Sequence, residues 1–267
     1  MILYPPELNY FNLFSFNLHY YSLCIFFAII ICYLVSLFLS SKVMTAVDKN
    51  ILSDMLPLLV VFSIIGARIY YVLLSIDYFI LNPAAIFMVW QGGLSIHGAI
   101  IGGIIFGAIY AKKNKINFFP YGDIICATLP LGQAIGRFGN FFNQEAFGMP
   151  TVYAPIKLFV SSNYRPEQYA YKKYFHPCFL YEAILDLLVF VILLILLKKT
   201  SKDYDGVVFF AYILLYSLVR ILIEPARLDT IFYVSKMPFP VLMSIFGVII
   251  GLLGIFIRMK KGKQSLF

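Results

Sequence analysis

Charge is scarce in this chain. Of its 267 residues 13% are Asp, Glu, Lys or Arg, about half the share usual in a soluble domain. With 61% hydrophobic residues and a mean hydropathy of +0.87, that scarcity excludes an ordinary soluble fold. Cysteine is scarce too: Cys24, Cys32, Cys126 and Cys178 form no C-x-x-C pair. The first three lie in apolar runs, so they read as inert buried thiols rather than a disulfide framework, a metal site or a nucleophile. Residues 1–18 contain no Lys or Arg, which argues against a cleaved signal peptide. Their Pro5, Pro6 and aromatics read as an interfacial arm. Short segments of alternating polarity, the mark of a membrane barrel, are missing, because the apolar runs are continuous. No repeat of inverted topology is visible, which weighs against a transporter. The net charge of +8 is dispersed between apolar runs instead of gathered in a patch, so no nucleic-acid partner is expected.

What is present is a series of runs long enough to cross a bilayer, which takes about 20 residues each. Only helices or closed barrels satisfy their backbone in lipid. The chain is therefore expected to be an all-α integral membrane protein forming one transmembrane domain over 1–267. Seven transmembrane helices are expected, at about 20–40, 55–76, 94–111, 122–138, 179–198, 206–224 and 239–258. Twelve basic residues fall on one side: Lys42, Lys49, Lys112, Lys113, Lys115, Lys198, Lys199, Lys202, Arg258, Lys260, Lys261 and Lys263. Six fall on the other: Lys157, Arg165, Lys172, Lys173, Arg227 and Lys236. The positive-inside rule then places the N-terminus out and the C-terminus in. The longest connection, 139–178, becomes a small extracytoplasmic head, and 77–93 a turn-rich re-entrant or interfacial piece.

Against this background the polar residues inside or beside apolar runs carry the information, since a charge at the bilayer centre costs roughly 3 kcal/mol even on insertion scales. Residues 136–145, Gly-Arg-Phe-Gly-Asn-Phe-Phe-Asn-Gln-Glu, hold Arg137, Asn140, Asn143 and Glu145. A guanidinium offers forked donors suited to a phosphate, and the carboxamides can complete its hydrogen bonding. The plainer alternative is an internal Arg137–Glu145 pair that fixes the turn. Tyr216, Arg220, Glu224 and Arg227, spaced by four, four and three, share one helical face. Arg220 and Glu224 can pair there, and Pro225 kinks or ends the helix. His97 just inside the third span is either a proton acceptor or a histidine hydrogen-bonded to a neighbouring span. Gly98, Gly102, Gly103 and Gly107 read as close-packing positions. Arg68 reads as snorkelling to the surface, Asp123 as structural, and His176-Pro177 with Tyr181-Glu182 as either a helix cap or part of a site. The residues alone thus describe a basic, hydrogen-bonding cavity suited to an anionic lipid head group.

The segment 136–145 resembles the signature of bacterial prolipoprotein diacylglyceryl transferases. Leu18-His19-Tyr20-Tyr21 resembles that family's first-span motif and Gly66-Ala67-Arg68-Ile69 its second-span arginine. Gly92-Gly93-Leu94-Ser95-Ile96-His97-Gly98 is similar to its Gly-Gly-x-Ser-x-His-Gly motif. His176-Pro177 with Tyr181-Glu182, and Arg220-x3-Glu224, follow in family order. Gln91 stands where many relatives carry an acid, and Pro225 where aromatics are common. Cys178 and Phe179 replace a small polar pair.

The resemblance implies a multi-pass enzyme of the bacterial inner membrane. It would move the diacylglyceryl group of phosphatidylglycerol to the thiol of the lipobox cysteine in a preprolipoprotein signal peptide, releasing glycerol phosphate. No metal or organic cofactor is implied. Catalytic roles fall to His97, Arg137, Arg220, Glu145 and Glu224. Arg137 and Arg220 clamp the phosphate, Glu145 and Glu224 hold those arginines, and His97 acts as base or orienting group. Substrate binding falls to Arg137, Asn140, Asn143, Tyr21 and Tyr216. Two rival classes use the same cavity: an anionic-lipid transporter or flippase without covalent chemistry, and a non-catalytic lipid-binding scaffold.

Overall fold

The computed structural model describes residues 1–13, 16–44, 47–200, 204–228, 233–234 and 236–264. Lys202, counted above, lies outside them, as does the side chain of Lys263. The molecule is mostly helical. Its helices are α1 Tyr20–Lys42, α2 Lys49–Leu74, α3 Ile76–Leu81, α4 Ile96–Lys113, α5 Phe118–Asn143, α6 Cys178–Thr200, α7 Val207–Ile223 and α8 Phe239–Gln264. Five helices are long and apolar enough to cross a membrane: α1, α2, α6, α7 and α8. The other two expected spans coincide with α4 and α5. Lys112 and Lys113 close α4, and α5 carries Asp123, Gln133, Arg137, Asn140 and Asn143, which lowers the hydropathy of both. The long helices turn large apolar side chains outward, such as Phe26, Leu34 and Phe38 on α1, each more than half exposed. A water-soluble protein does not tolerate so continuous an apolar surface.

The chain divides into two compact units, Thr45–Tyr121 and the remainder, Met1–Met44 with Gly122–Phe267. In the smaller unit Asp48 caps α2, its carboxylate accepting from the Asn50 and Ile51 amides at 2.8 and 3.5 Å. Helices α2 and α4 touch backbone to backbone. A Cβ on Gly102 would stand 2.7 Å from the Phe62 carbonyl oxygen, and one on Gly66 only 2.9 Å from the Gly102 Cα. Such contact replaces hydrophobic burial as the glue between helices in lipid. Arg68 on α2 does not snorkel. It is 8% exposed, and its guanidinium donates to the carbonyls of Ile86, Gly92 and Gly93 at 2.9, 2.7 and 2.8 Å and to those of Ala85 and Met88. Phe79 and Tyr71 cover it, their ring centroids 5.2 and 5.9 Å from the guanidinium carbon. The Arg68 cage thus binds the 83–93 connection, two short 3-10 turns, to the face of α2.

In the larger unit α1 meets α5 where Cys32 donates to the Thr128 carbonyl and Ser36 pairs with Thr128. None of the four cysteines is joined in a disulfide. Gly247, Gly251 and Gly254 of α8 leave room for Ser217, Leu214 and Phe210 of α7. Asp123, buried near the start of α5, accepts from the amides of Gly206 and Phe209 at 2.6 and 2.7 Å. It therefore caps α7, whose exposed first-turn N–H groups favour a carboxylate.

The N-terminal residues are not simply an interfacial arm. Strand β1 (Ile2–Leu3) pairs in parallel with β4 (Lys157–Phe159), which pairs antiparallel with β5 (Tyr174–Phe175). Strands β2 (Tyr10–Leu13) and β3 (Phe16–His19) form a hairpin leading into α1. The connection between α5 and α6 is thus built on a three-stranded sheet over a buried cluster of Ala146, Phe147, Leu158, Val160, Phe175 and Phe179.

Candidate active site

Helix α5 continues through Asn143, so the first part of the 136–145 signature is helical and its end is a turn. Gln144 and Ala146 take positive φ, 55° and 53°, and the Gln144 side-chain oxygen accepts from the Ser161 amide at 2.7 Å. The extended segment that leaves this turn bridges the entrance to α6 and the exit of α7. Phe179 donates to the Ala146 carbonyl at 2.8 Å, Gly148 to the His176 carbonyl at 2.9 Å, and Leu228 to the Phe147 carbonyl at 3.1 Å. A Cβ on Gly148 would lie 2.8 Å from both the Ala226 oxygen and the Cys178 sulfur, so only glycine lets the three segments close this tightly.

That stitching brings the charged residues of α5, α6 and α7 to one place. Arg137 Nη1 lies 2.7 Å from Glu182 Oε2, and its Nε 3.6 Å from Asp186 Oδ2. Arg227 Nη1 reaches Glu182 Oε1 at 2.9 Å, and Arg220 Nη1 approaches the same oxygen at 3.5 Å. Arg220 also pairs with Glu224 one turn on. Three arginines therefore converge on Glu182. Its side chain is fully buried, and those of Glu224 and Asp186 are 2% exposed, whereas the side chains of Arg137, Arg227 and Arg220 are 17, 14 and 13% exposed. The carboxylates are sealed behind and the guanidiniums form the accessible edge. Three formal positive charges against three negative make the cluster tolerable in an apolar setting, yet the edge offers a guest only cations. Arg137 Nε is buried without a hydrogen bond of good geometry, while Nη1 meets Glu182, so only part of the guanidinium is committed to the protein.

The sequence-predicted residues sort themselves around this centre. Arg137, Arg220 and Glu224 are in it. Glu145 is not the partner of Arg137. It accepts from the Asn140 and Asn143 amides at 3.2 and 3.3 Å, because the turn at 144–146 carries it to the carboxamide side while Glu182 arrives from α6. Tyr21 lies flat against the signature: a Cβ on Gly139 would stand 2.6 Å from its ring. Tyr216 stacks on Tyr212 with centroids 5.9 Å apart, one turn below Arg220. Pro225 ends α7, and a 3-10 turn over Glu224–Ala226 follows. His176 Nδ1 and the Tyr181 hydroxyl are 3.1 Å apart at the mouth of α6. His97 belongs to the other unit, on the first turn of α4, with its ring 6.1 Å from that of Tyr70.

Sequence reasoning missed Asp186 and underweighted Glu182 and Arg227. The signal available was the i, i+4 spacing of Glu182 and Asp186 inside a run otherwise without charge. Arg227 shares the face of Arg220 and Glu224 by spacing, yet the sequence reading gave it no site role and counted it with the outer topology charges. Among the described residues, no group of three or more His, Cys, Asp or Glu side chains is arranged to hold a metal ion.

The comparisons agree with the resemblance. The family model described as prolipoprotein diacylglyceryl transferase matches residues 9–257. A protein of Trichormus variabilis named phosphatidylglycerol--prolipoprotein diacylglyceryl transferase is 40% identical over 243 residues, covering 90% of this chain and 85% of its own. Proteins of the same name from Prochlorococcus marinus and Thermotoga maritima are 38 and 39% identical. They cover 98 and 92% of this chain and 93 and 83% of their own lengths. With the fold, the arginine cluster and these matches in hand, the chain belongs to the prolipoprotein diacylglyceryl transferase family.

Proposed function

We propose that this protein transfers the diacylglyceryl group of phosphatidylglycerol to the thiol of the lipobox cysteine in a preprolipoprotein. The observation that carries the reading is the cationic edge made by Arg137, Arg220 and Arg227 over buried Glu182. The phosphodiester that joins a phospholipid's diacylglycerol to its head group is an anion suited to such an edge at the bilayer surface. The names of the family relatives specify the same lipid and the same acceptor. The enzyme sits in the bacterial inner membrane with seven spans, α4 and α5 supplying the third and fourth beside the five apolar helices. The charge asymmetry supports an outward N-terminus, an extracytoplasmic head between α5 and α6, and a cytoplasmic C-terminus.

In the reaction, the thiolate attacks the glycerol carbon bonded to the phosphate oxygen. A sulfur–carbon bond forms, the carbon–oxygen bond breaks, and its electron pair leaves on the phosphate of glycerol phosphate. Two demands follow. The thiol proton must be removed, a role we assign to His97 on its motif. The growing charge on the leaving phosphate must meet preorganised donors, and Arg137 and Arg220 serve there. Glu182 and Glu224 hold them in place, while Asn140 and Asn143 orient the head group with Glu145 behind them. Tyr21 and Tyr216 line the lipid path.

The test is transfer of radiolabelled diacylglyceryl from phosphatidylglycerol vesicles to a lipobox peptide by purified protein, beside Arg137→Ala. A thioether product on the cysteine sulfur that the variant does not form is expected. No product from folded protein would overturn the reading. Lipid movement between leaflets without a thioether would replace it with a flippase.

A further inference from the structure

Below the arginine cluster the same helices carry further polar residues, of which Gln133 and Tyr212 have no part in the proposed reaction. Gln133 precedes Arg137 by four residues on α5, Tyr212 precedes Tyr216 and Tyr216 precedes Arg220 by four on α7, and Asp186 follows Glu182 by four on α6. Each therefore lies on the face of its helix that bears the charged cluster, farther from the head and closer to the middle of the span. Gln133 Nε2 donates to the Tyr212 hydroxyl at 2.9 Å. The other end of that amide, Oε1, is buried and has no hydrogen-bond partner. An amide end left bare in an apolar setting is costly unless a guest or a water satisfies it.

The spacing fits a lipid. One helical turn rises about 5.4 Å, and in a phospholipid the ester carbonyls lie a few bonds from the phosphate, on the hydrocarbon side. A phosphate on Arg137 and Arg220 would place the glycerol esters at the level of Gln133. Ester carbonyls accept hydrogen bonds and donate none. Rotation of the Gln133 amide exchanges its oxygen and NH2, and the Tyr212 hydroxyl can donate to the one as readily as it accepts from the other. The amide can thus turn two N–H donors to the guest without losing its anchor.

We propose that Gln133, anchored by Tyr212, forms a subsite that hydrogen-bonds an ester carbonyl of the donor lipid, so the enzyme reads the diacylglyceryl group it transfers as well as the phosphate it releases. The inference rests on the transferase reading above. The experiment compares dioleoyl phosphatidylglycerol with its dialkyl ether analogue, which keeps the phosphate and head group and lacks the carbonyls. The readout is the ratio of kcat/KM for the two lipids with one lipobox peptide, for wild type, Gln133→Met and Tyr212→Phe. Wild type should favour the diester by about three- to tenfold, the range of one hydrogen bond. Gln133→Met should bring the ratio close to one, and Tyr212→Phe should lower it partway by loosening the amide. Should Gln133→Met fail to fold, Tyr212→Phe decides the matter alone. Equal use of both lipids by wild type, or a ratio that neither variant moves, would overturn the subsite and leave the amide to packing or water. No transfer from either lipid by folded wild type would instead overturn the transferase reading, and the subsite with it.

Discussion

The molecule buries arginine in two ways. Arg68, in the smaller unit, is enclosed by backbone carbonyls and aromatic faces, and all its donor nitrogens are engaged. Arg137, in the larger unit, has two carboxylates nearby, an Nε without a hydrogen bond, and a partly accessible edge. Both are cations in apolar helices, so both carry the same cost of leaving water. They differ in what remains for a guest. A guanidinium with every N–H committed is a structural bolt, whereas one held by charge with donors to spare can still bind an anion. The contrast turns an inventory of buried charges into an assignment of roles.

The largest expected effect comes from removing what the cluster shares. Glu182→Ala strips three guanidiniums of their common acceptor, and loss of one partner of a buried pair costs about 3–5 kcal/mol. Transfer should vanish and the protein should melt at markedly lower temperature in detergent. Glu182→Gln, which keeps the shape and one acceptor oxygen, should melt closer to wild type while transfer stays far below it. A Glu182→Ala protein with normal melting and normal transfer would remove Glu182 from both roles.

Lysine substitutions set the two arginines directly against each other. Arg137→Lys keeps the charge near Glu182 but loses the fork, so transfer should fall by about a hundredfold or more with a small change in melting. Arg68→Lys should do the reverse. An ammonium has three donors against five and cannot span carbonyls on both sides of the 83–93 connection. Stability should fall, while transfer per folded molecule falls far less than in Arg137→Lys. If both variants lose transfer equally at equal stability, the distinction between bolt and binding edge is wrong. His97→Gln adds a pH reading: retained activity at neutral and higher pH would exclude an essential base at that position.

How much of this was legible in the sequence follows from which partners are side chains and which are backbone. Arg220 with Glu224 could be read from spacing alone, because both ends of the pair sit on one helix. The signature arginine was legible as a functional cation, but its nearest acid in the chain, Glu145, proved to serve the carboxamides. Its real partners arrive from α6, at a sequence distance that periodicity does not bridge. Arg68 misled for the opposite reason: its partners are carbonyl oxygens, which every residue carries and no motif marks. The sheet over the 146–179 cluster was hidden because its strands are two or three residues long, too short for alternation to register. Five spans are clear from length and composition. The polar residues that make α5 useful also blur it as a span.

The smallest expected effect lies at the far end of the same helices and tests whether the assignment of roles is local. Asp123 caps α7 through the Gly206 and Phe209 amides and is a residue of α5, as is Arg137 on a later turn. If burial and charge alone marked function, Asp123 would qualify as readily as Asp186, since both are 2% exposed. Its partners say otherwise: they are two backbone N–H groups at the start of a helix. Asp123→Ala should therefore cost about 1–2 kcal/mol, the usual range for a lost cap, read as a modest drop in melting temperature. Asp123→Asn, which retains an acceptor oxygen, should recover part of it. Neither should change the KM for phosphatidylglycerol, because the α7 start lies more than three turns from Arg220. A changed lipid KM in Asp123→Asn at unchanged stability would mean that the two ends of α7 are coupled. The arginine cluster could then not be treated as a self-contained site.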